Sequence, residues 1–142
     1  MTLTTLANRL GGPEVLGRTL RNDVDLMHLI ETGIPKATIR CLAESMGIEP
    51  KALIAYLPVT SRNLQRYKET DLLTDVVSDR LVALAALFEY GEETLGKAYF
   101  YDWMQGPVLA LGNRPPTEFL KTHKGIEVLH DELGRMAHGI FA

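Results

Sequence analysis

The chain has 142 residues, 46% of them hydrophobic and 23% charged, with a net charge of -3, which suits one globular unit or two small ones sharing a core. Its single Cys41 excludes an intramolecular disulfide and leaves a structural zinc site without a second thiolate, a usage that suits a reducing cytosol. The acidic balance argues against indiscriminate phosphate binding, because affinity for duplex DNA comes largely from Lys and Arg releasing counterions, so any DNA contact must be local.

Residues 1–10 carry no basic region followed by an apolar run, and no segment approaches the roughly 18 to 20 apolar residues of a membrane span. Neither export nor insertion is expected, and the expected location is cytoplasmic. Residues 1–22 mix apolar residues with Gly11, Gly12, Pro13 and Gly17, which reads either as a short helix over 13–20 or as a loosely held arm. Asp23 is placed as the cap of a helix of about ten residues with Leu26, Leu29 and Ile30 on one face, stopped by Gly33. Pro35 starts the next helix, with Ile39, Leu42, Ala43 and Met46 as its apolar stripe and Gly47 at its end.

Between Glu49 and Glu69 two short helices are separated by a tight break. Pro50 opens the first, with Leu53, Ile54 and Leu57 inward; Pro58 and Val59 break it, and Thr60 caps a second helix over 61–69. This order reads as a helix-turn-helix. With Leu64 and Tyr67 inward, the second helix leaves Ser61, Arg62, Gln65, Arg66 and Lys68 to solvent. Arg bridges guanine O6 and N7, Gln pairs with adenine N6 and N7, and Ser and Lys hold phosphates. The plain alternative is a solvated polar face, but residues 60–70 hold three basic residues against one Glu on an acidic protein. A second pairing, with 35–46 as support and 50–57 as reader, offers only Lys51 as a basic group on the reading helix.

A longer helix over 75–90 follows, with Val77, Leu81, Leu84 and Phe88 on one face, thickened by Ala85 and Leu87. It joins the two halves, and its wide stripe faces either an intramolecular core or a second copy. Paired half-sites about 34 Å apart would multiply the limited affinity of one short reading helix. Gly91 is read as the end of this helix, and Glu92 and Glu93 as the acidic start of another. On it Leu95, Tyr99 and Trp103 fall four apart, a ladder expected in the core, with Trp103 buried. Pro107, Gly112, Pro115 and Pro116 make an irregular connector, Pro116 opens a short helix through Phe119 and Leu120, and Gly125 separates it from the last helix. That helix sets Ile126, Leu129, Leu133 and Met136 on one face, with Glu127, His130 and Asp131 outward. The expected fold is all-α.

Chemistry finds little support. His123 and His130 are seven apart with no close Asp or Cys pair to complete a metal site, and there is no Gly-rich phosphate loop. Ser45, Ser61 and Ser78 lack a nucleophile-elbow context, and Cys41 leans inward on its helix. No catalytic residue, metal or cofactor is expected.

Trp103, Pro107, Leu109-Ala110-Leu111-Gly112, Arg114-Pro115-Pro116, Phe119-Leu120, Thr122, Gly125, Val128, Leu133-Gly134-Arg135 and His138-Gly139-Ile140-Phe141-Ala142 occur in an order that resembles the toxin-binding domain of the Xre/MbcA/ParS antitoxins. The resemblance covers about the last third of the chain. It departs at Asn113, where family members usually carry a second Gly, and at one of the two prolines, where they carry Thr. Asn tolerates left-handed geometry, so the turn is expected to survive.

The resemblance implies a helix-turn-helix region ahead of a small helical toxin-binding domain. The expected division is an arm at 1–22, the helix-turn-helix at 23–74 and the toxin-binding domain at 75–142. It also implies a type II toxin-antitoxin system in which the chain neutralises a RES-domain toxin that consumes NAD, and represses its own operon by binding operator DNA as a homodimer or larger toxin-antitoxin assembly. Arg135, His138, Gly139, Ile140, Phe141 and Ala142 are the candidate toxin contacts. A pocket for NAD must accept pyrophosphate and an aromatic nicotinamide, and Phe141 with the Ala142 carboxylate offers a mimic of both, while Arg135 would meet acidic groups at the rim. Two alternatives stand beside this: Ile140 and Phe141 fold back on their own core, or the chain is a stand-alone regulator whose C-terminal domain dimerises or senses a ligand.

Overall fold

The computed structural model describes residues 2–139. Among them no strand forms, only isolated bridges between Pro35 and Leu72 and between Val108 and Arg114, so the fold is all-α. The chain divides into two compact units, 1–85 and 86–142.

The first unit begins with α1 (Leu3–Arg9) and α2 (Gly12–Leu16). The opening residues are therefore two short helices rather than a loose arm or one helix over 13–20. Thr2 and Thr5 close a reciprocal cap on α1, and Leu6, Leu10, Leu16 and Leu20 are buried. Helix α3 (Asp23–Thr32) is capped by Asn22, whose side chain accepts the Asp25 amide at 2.9 Å, so Asp23 is its first residue and not its cap. Helix α4 (Ala37–Met46) buries Ile39, Leu42, Ala43 and Met46, the stripe its periodicity gives. The connector between α3 and α4 is fixed by Leu73, whose amide donates to the Ile34 carbonyl at 2.8 Å, and by Ser78, whose hydroxyl accepts the Ile34 amide at 2.9 Å.

Two short helices follow, α5 (Pro50–Ile54) and α6 (Ser61–Leu64), and then the long α7 (Asp75–Leu95). Val77, Leu81, Leu84, Ala85, Leu87 and Phe88 are all buried along α7. Gly91 does not end this helix, which continues four residues further. Its role is packing: a Cβ there would meet the ring of Phe100 at 2.1 Å, so hydrogen is the only substituent that lets the ring lie against the helix.

The second unit holds the distal part of α7, α8 (Lys97–Gln105), two 3₁₀ turns (Leu109–Leu111 and Pro116–Phe119) and α9 (His123–Ala137). Phe100 is fully buried and meets Phe88 edge-on at 5.1 Å, with Met104, Leu120, Ile126, Leu129 and Leu133 completing the core. Asn113 has φ 66°, the one non-glycine residue among those described in the left-handed region, and carries the turn between the bridged Val108 and Arg114. Gly125 does not separate two helices. It lies in the first turn of α9, its amide donates to the capping hydroxyl of Thr122 at 2.9 Å, and a Cβ would fall 2.1 Å from the Phe119 carbonyl oxygen.

Candidate DNA interface and candidate toxin-binding groove

The candidate helix-turn-helix pair, α5 and α6, is built on caps and on hydrogen bonds that reach back to α4. Thr60 accepts the Asn63 amide at 3.0 Å and starts α6. The second helix, expected over 61–69, ends at Leu64, since the amides of Arg66 and Tyr67 donate to carbonyls three residues back and tighten the turn. The chain is then drawn away by tertiary bonds. Lys36 donates its ammonium to the Tyr67 carbonyl at 3.0 Å, and the amides of Ala37 and Lys36 donate to the carbonyls of Glu69 and Asp71. Arg80 Nη1, from α7, donates to the Tyr56 carbonyl at 2.9 Å and holds the exit of α5.

Ser61, Arg62, Gln65, Arg66 and Lys68 are all exposed. Ser61 and Arg62 lie on α6, Gln65 is its C-cap and Arg66 is in the closing turn. Lys68 lies beyond the helix, its amide donating to Asp71 Oδ2 at 2.8 Å, so it does not share the helical face with the other four. Leu64 is buried beneath them and Tyr67 is half-buried. The surface can offer a guanidinium pair, an amide and a hydroxyl to a groove edge, with Lys68 to one side.

The second unit carries a groove of about 610 Å³ bordered by the end of α7, by α8, by the 107–109 connector and by α9. Its aromatic wall is the ladder expected in the core. Tyr99 is 60% exposed and Trp103 is only half-buried, while Phe100 and Met104, one residue along, take the core positions. The reason is a break: Gly96, at φ 80° and ψ 151°, separates α7 from α8, so Leu95 and Tyr99 lie on different helices and a spacing of four no longer means a common face. Leu109 at 85% exposure and half-buried Met136 add apolar surface.

One charged group at the groove is not singled out by the sequence pattern above. Glu132 is buried at the groove, next to Leu133 of the apolar stripe, and its side chain pairs with Arg135 three residues on. Arg135 Nε donates to Glu132 Oε2 at 3.0 Å and Nη2 donates to the same oxygen. A Glu–x–x–Arg spacing late in an amphipathic helix was the available signal. Arg135 is thus held by its own helix, His138 is the exposed C-cap, and Gly139 has φ 72°. Ile140, Phe141 and Ala142 lie outside the described residues.

His130 is not directed outward as expected. It is half-buried and stacks on Tyr90, with centroids 5.6 Å apart and planes 20° apart, and desolvation pushes its pKa below the usual histidine value against the opposing pull of Asp131. On the exposed turn of α9, Lys124 donates to Glu127 at 2.9 Å, which raises the ammonium pKa and lowers that of the carboxyl.

A helix-turn-helix unit followed by a small helical unit with an open aromatic groove defines a two-part, all-α binding protein. Residues 25–86 match the antitoxin Xre-like helix-turn-helix domain, and residues 83–139 match the antitoxin Xre/MbcA/ParS C-terminal toxin-binding domain. The chain is 30% identical over 97 residues to the Antitoxin Xre of Yersinia enterocolitica serotype O:8, an alignment spanning 66% of each protein. The chain belongs to the Xre/MbcA/ParS antitoxin family.

Proposed function

We propose that the protein is the antitoxin of a type II toxin-antitoxin system, which neutralises a cognate RES-domain, NAD-consuming toxin and represses its own operon. In this reading residues 23–74 read operator DNA and residues 75–142 bind toxin. The observation that carries the reading is the pairing, in one chain, of a toxin-binding domain match over 83–139 with a helix-turn-helix that leaves Arg62, Gln65 and Arg66 exposed above a buried Leu64. The tail, Ile140 to Ala142, is the segment that would enter the toxin's active site, a reading supported by its apolar sequence after Gly139. A homodimer or a larger toxin-antitoxin assembly in the cytoplasm would present two reading helices to an operator with paired half-sites. No helix among the described residues is long and apolar enough to cross a membrane.

The test is co-expression of the full chain, and of a form ending at Gly139, with the product of the adjacent gene, scored by growth and intracellular NAD. Rescue by the full chain alone supports the tail as inhibitor. Rescue by both forms removes the tail from the mechanism, and rescue by neither removes that toxin as the target.

A further inference from the structure

The groove on the second unit has a chemistry that the tail reading leaves unused. Single exposed hydrophobic residues are ordinary, but here Leu109, 85% exposed, and Tyr99, 60% exposed, converge on one concavity with Trp103. At the same concavity sits Glu132, with only 10% of its side chain exposed. Arg135 occupies one carboxylate oxygen, Oε2, through both Nε and Nη2. Oε1 accepts no hydrogen bond from the described residues and is not closed off from solvent. Oε1 is reachable from the groove, and a cation brought to it meets a carboxylate with nine-tenths of its side chain buried, where the attraction exceeds that at an open surface.

We propose that this groove is a docking site for an arginine presented by the toxin. Its guanidinium would bond Glu132 Oε1 and lie against the faces of Trp103 and Tyr99, and its methylene stem would cover Leu109 and Met136. Arginine fits because its planar fork both stacks on aromatic rings and bonds a carboxylate, whereas an ammonium is more strongly hydrated. The groove lies within the residues that match the toxin-binding domain, and the proposal rests on the antitoxin reading.

The experiment measures the affinity of the full-length chain for a catalytically inactive form of the adjacent gene's toxin, comparing wild type with Leu109→Lys and Glu132→Gln. Leu109 is exposed enough for the lysine to leave the fold intact, which an unchanged melting temperature and unchanged operator binding would verify. Leu109→Lys should weaken toxin binding about tenfold or more, by placing a like charge beside the incoming cation. Glu132→Gln should weaken it too, with a deficit that shrinks as salt rises. Alanine substitution across the toxin's surface arginines should find one whose loss makes Leu109→Lys no longer additive.

Wild-type binding with an unimpaired Leu109→Lys variant would overturn the groove while leaving the antitoxin reading intact. Absence of wild-type binding would remove both. A Leu109→Lys variant that binds toxin normally but loses the self-association of the isolated chain would assign the groove to a second copy instead. Additivity with every toxin arginine would overturn the basic occupant.

Discussion

Gly91→Ala separates two roles for one residue by the sign of its effect. If Gly91 were only a weak point in a helix, alanine would strengthen α7 by about 1 kcal/mol. In the structure the new Cβ would lie 2.1, 2.4 and 2.5 Å from three atoms of the Phe100 ring. Favourable carbon–carbon contact begins near about 3.5 Å, so the ring or the helix must move by more than an ångström. Phe100 has little room to give, because it is fully buried, edge-on to Phe88 and stacked with Trp103 at 6.1 Å. Overpacking of this kind costs about 1–3 kcal/mol, and a clash on three ring atoms belongs at or beyond the upper end. The net expectation is a loss of about 2 kcal/mol, the difference between roughly 3 of strain and 1 of propensity. Trp103 is the single tryptophan and neighbours Phe100, so its fluorescence during thermal or urea unfolding reports on the 86–142 unit. At about 4–8 °C per kcal/mol for a small domain, the midpoint should fall by about 8–16 °C. An unchanged or raised midpoint would refute the packing role.

Arg62→Ala and Arg66→Ala should each weaken operator binding by about 1–3 kcal/mol if the side chain reads a base, measured by titration at fixed salt. Lys68→Ala, displaced from the helical face, should cost less and act equally on all sequences. Asn113→Gly should be neutral or stabilising, whereas Asn113→Val, forced to φ 66°, should lose about 1–2 kcal/mol in urea unfolding. Because burial holds the His130 pKa below its unfolded value of about 6.5, the unfolded chain binds more protons there. Stability is therefore full above that value and falls as pH drops from about 6.5 through the folded pKa. His130→Phe, which keeps a ring on Tyr90, should flatten that slope in melts between about pH 5 and 7.

Periodicity made most of the helices legible. The stripes of α4 and α7 and the capping role of Thr60 follow from local chemistry that the sequence states directly. The length of α6 does not, because what ends it is the capture of residues 67–71 by Lys36 and Ala37, some thirty positions earlier. Gly91 and Gly125 carry the reverse lesson. A glycine in a helical pattern reads as punctuation, yet each sits inside a helix because a ring or a carbonyl lies where its Cβ would be. The exposure of the five polar residues at 61–68 follows from taking Leu64 and Tyr67 as inward references, but their common helical face does not, because Lys68 lies beyond the end of α6.

The candidate groove was hidden by the same property that makes helical periodicity useful. A period of four predicts a shared face only while the backbone stays helical, and the phase is lost wherever one residue leaves it. Gly96 is that residue. Its extended turn lets Phe100 and Met104 take the core, and Tyr99 and Trp103 become wall. On the facing helix, Glu132 precedes the core residue Leu133 by one position, so it lies at the edge of the stripe, where a carboxylate can be buried yet still border an opening. Both shifts are of a single residue, and together they convert side chains expected to stabilise the domain into an apolar surface with one half-paired carboxylate. A chain that only needed a core would bury Tyr99 and Leu109. Exposed around Glu132, they form the apolar surface on which the proposed arginine would dock.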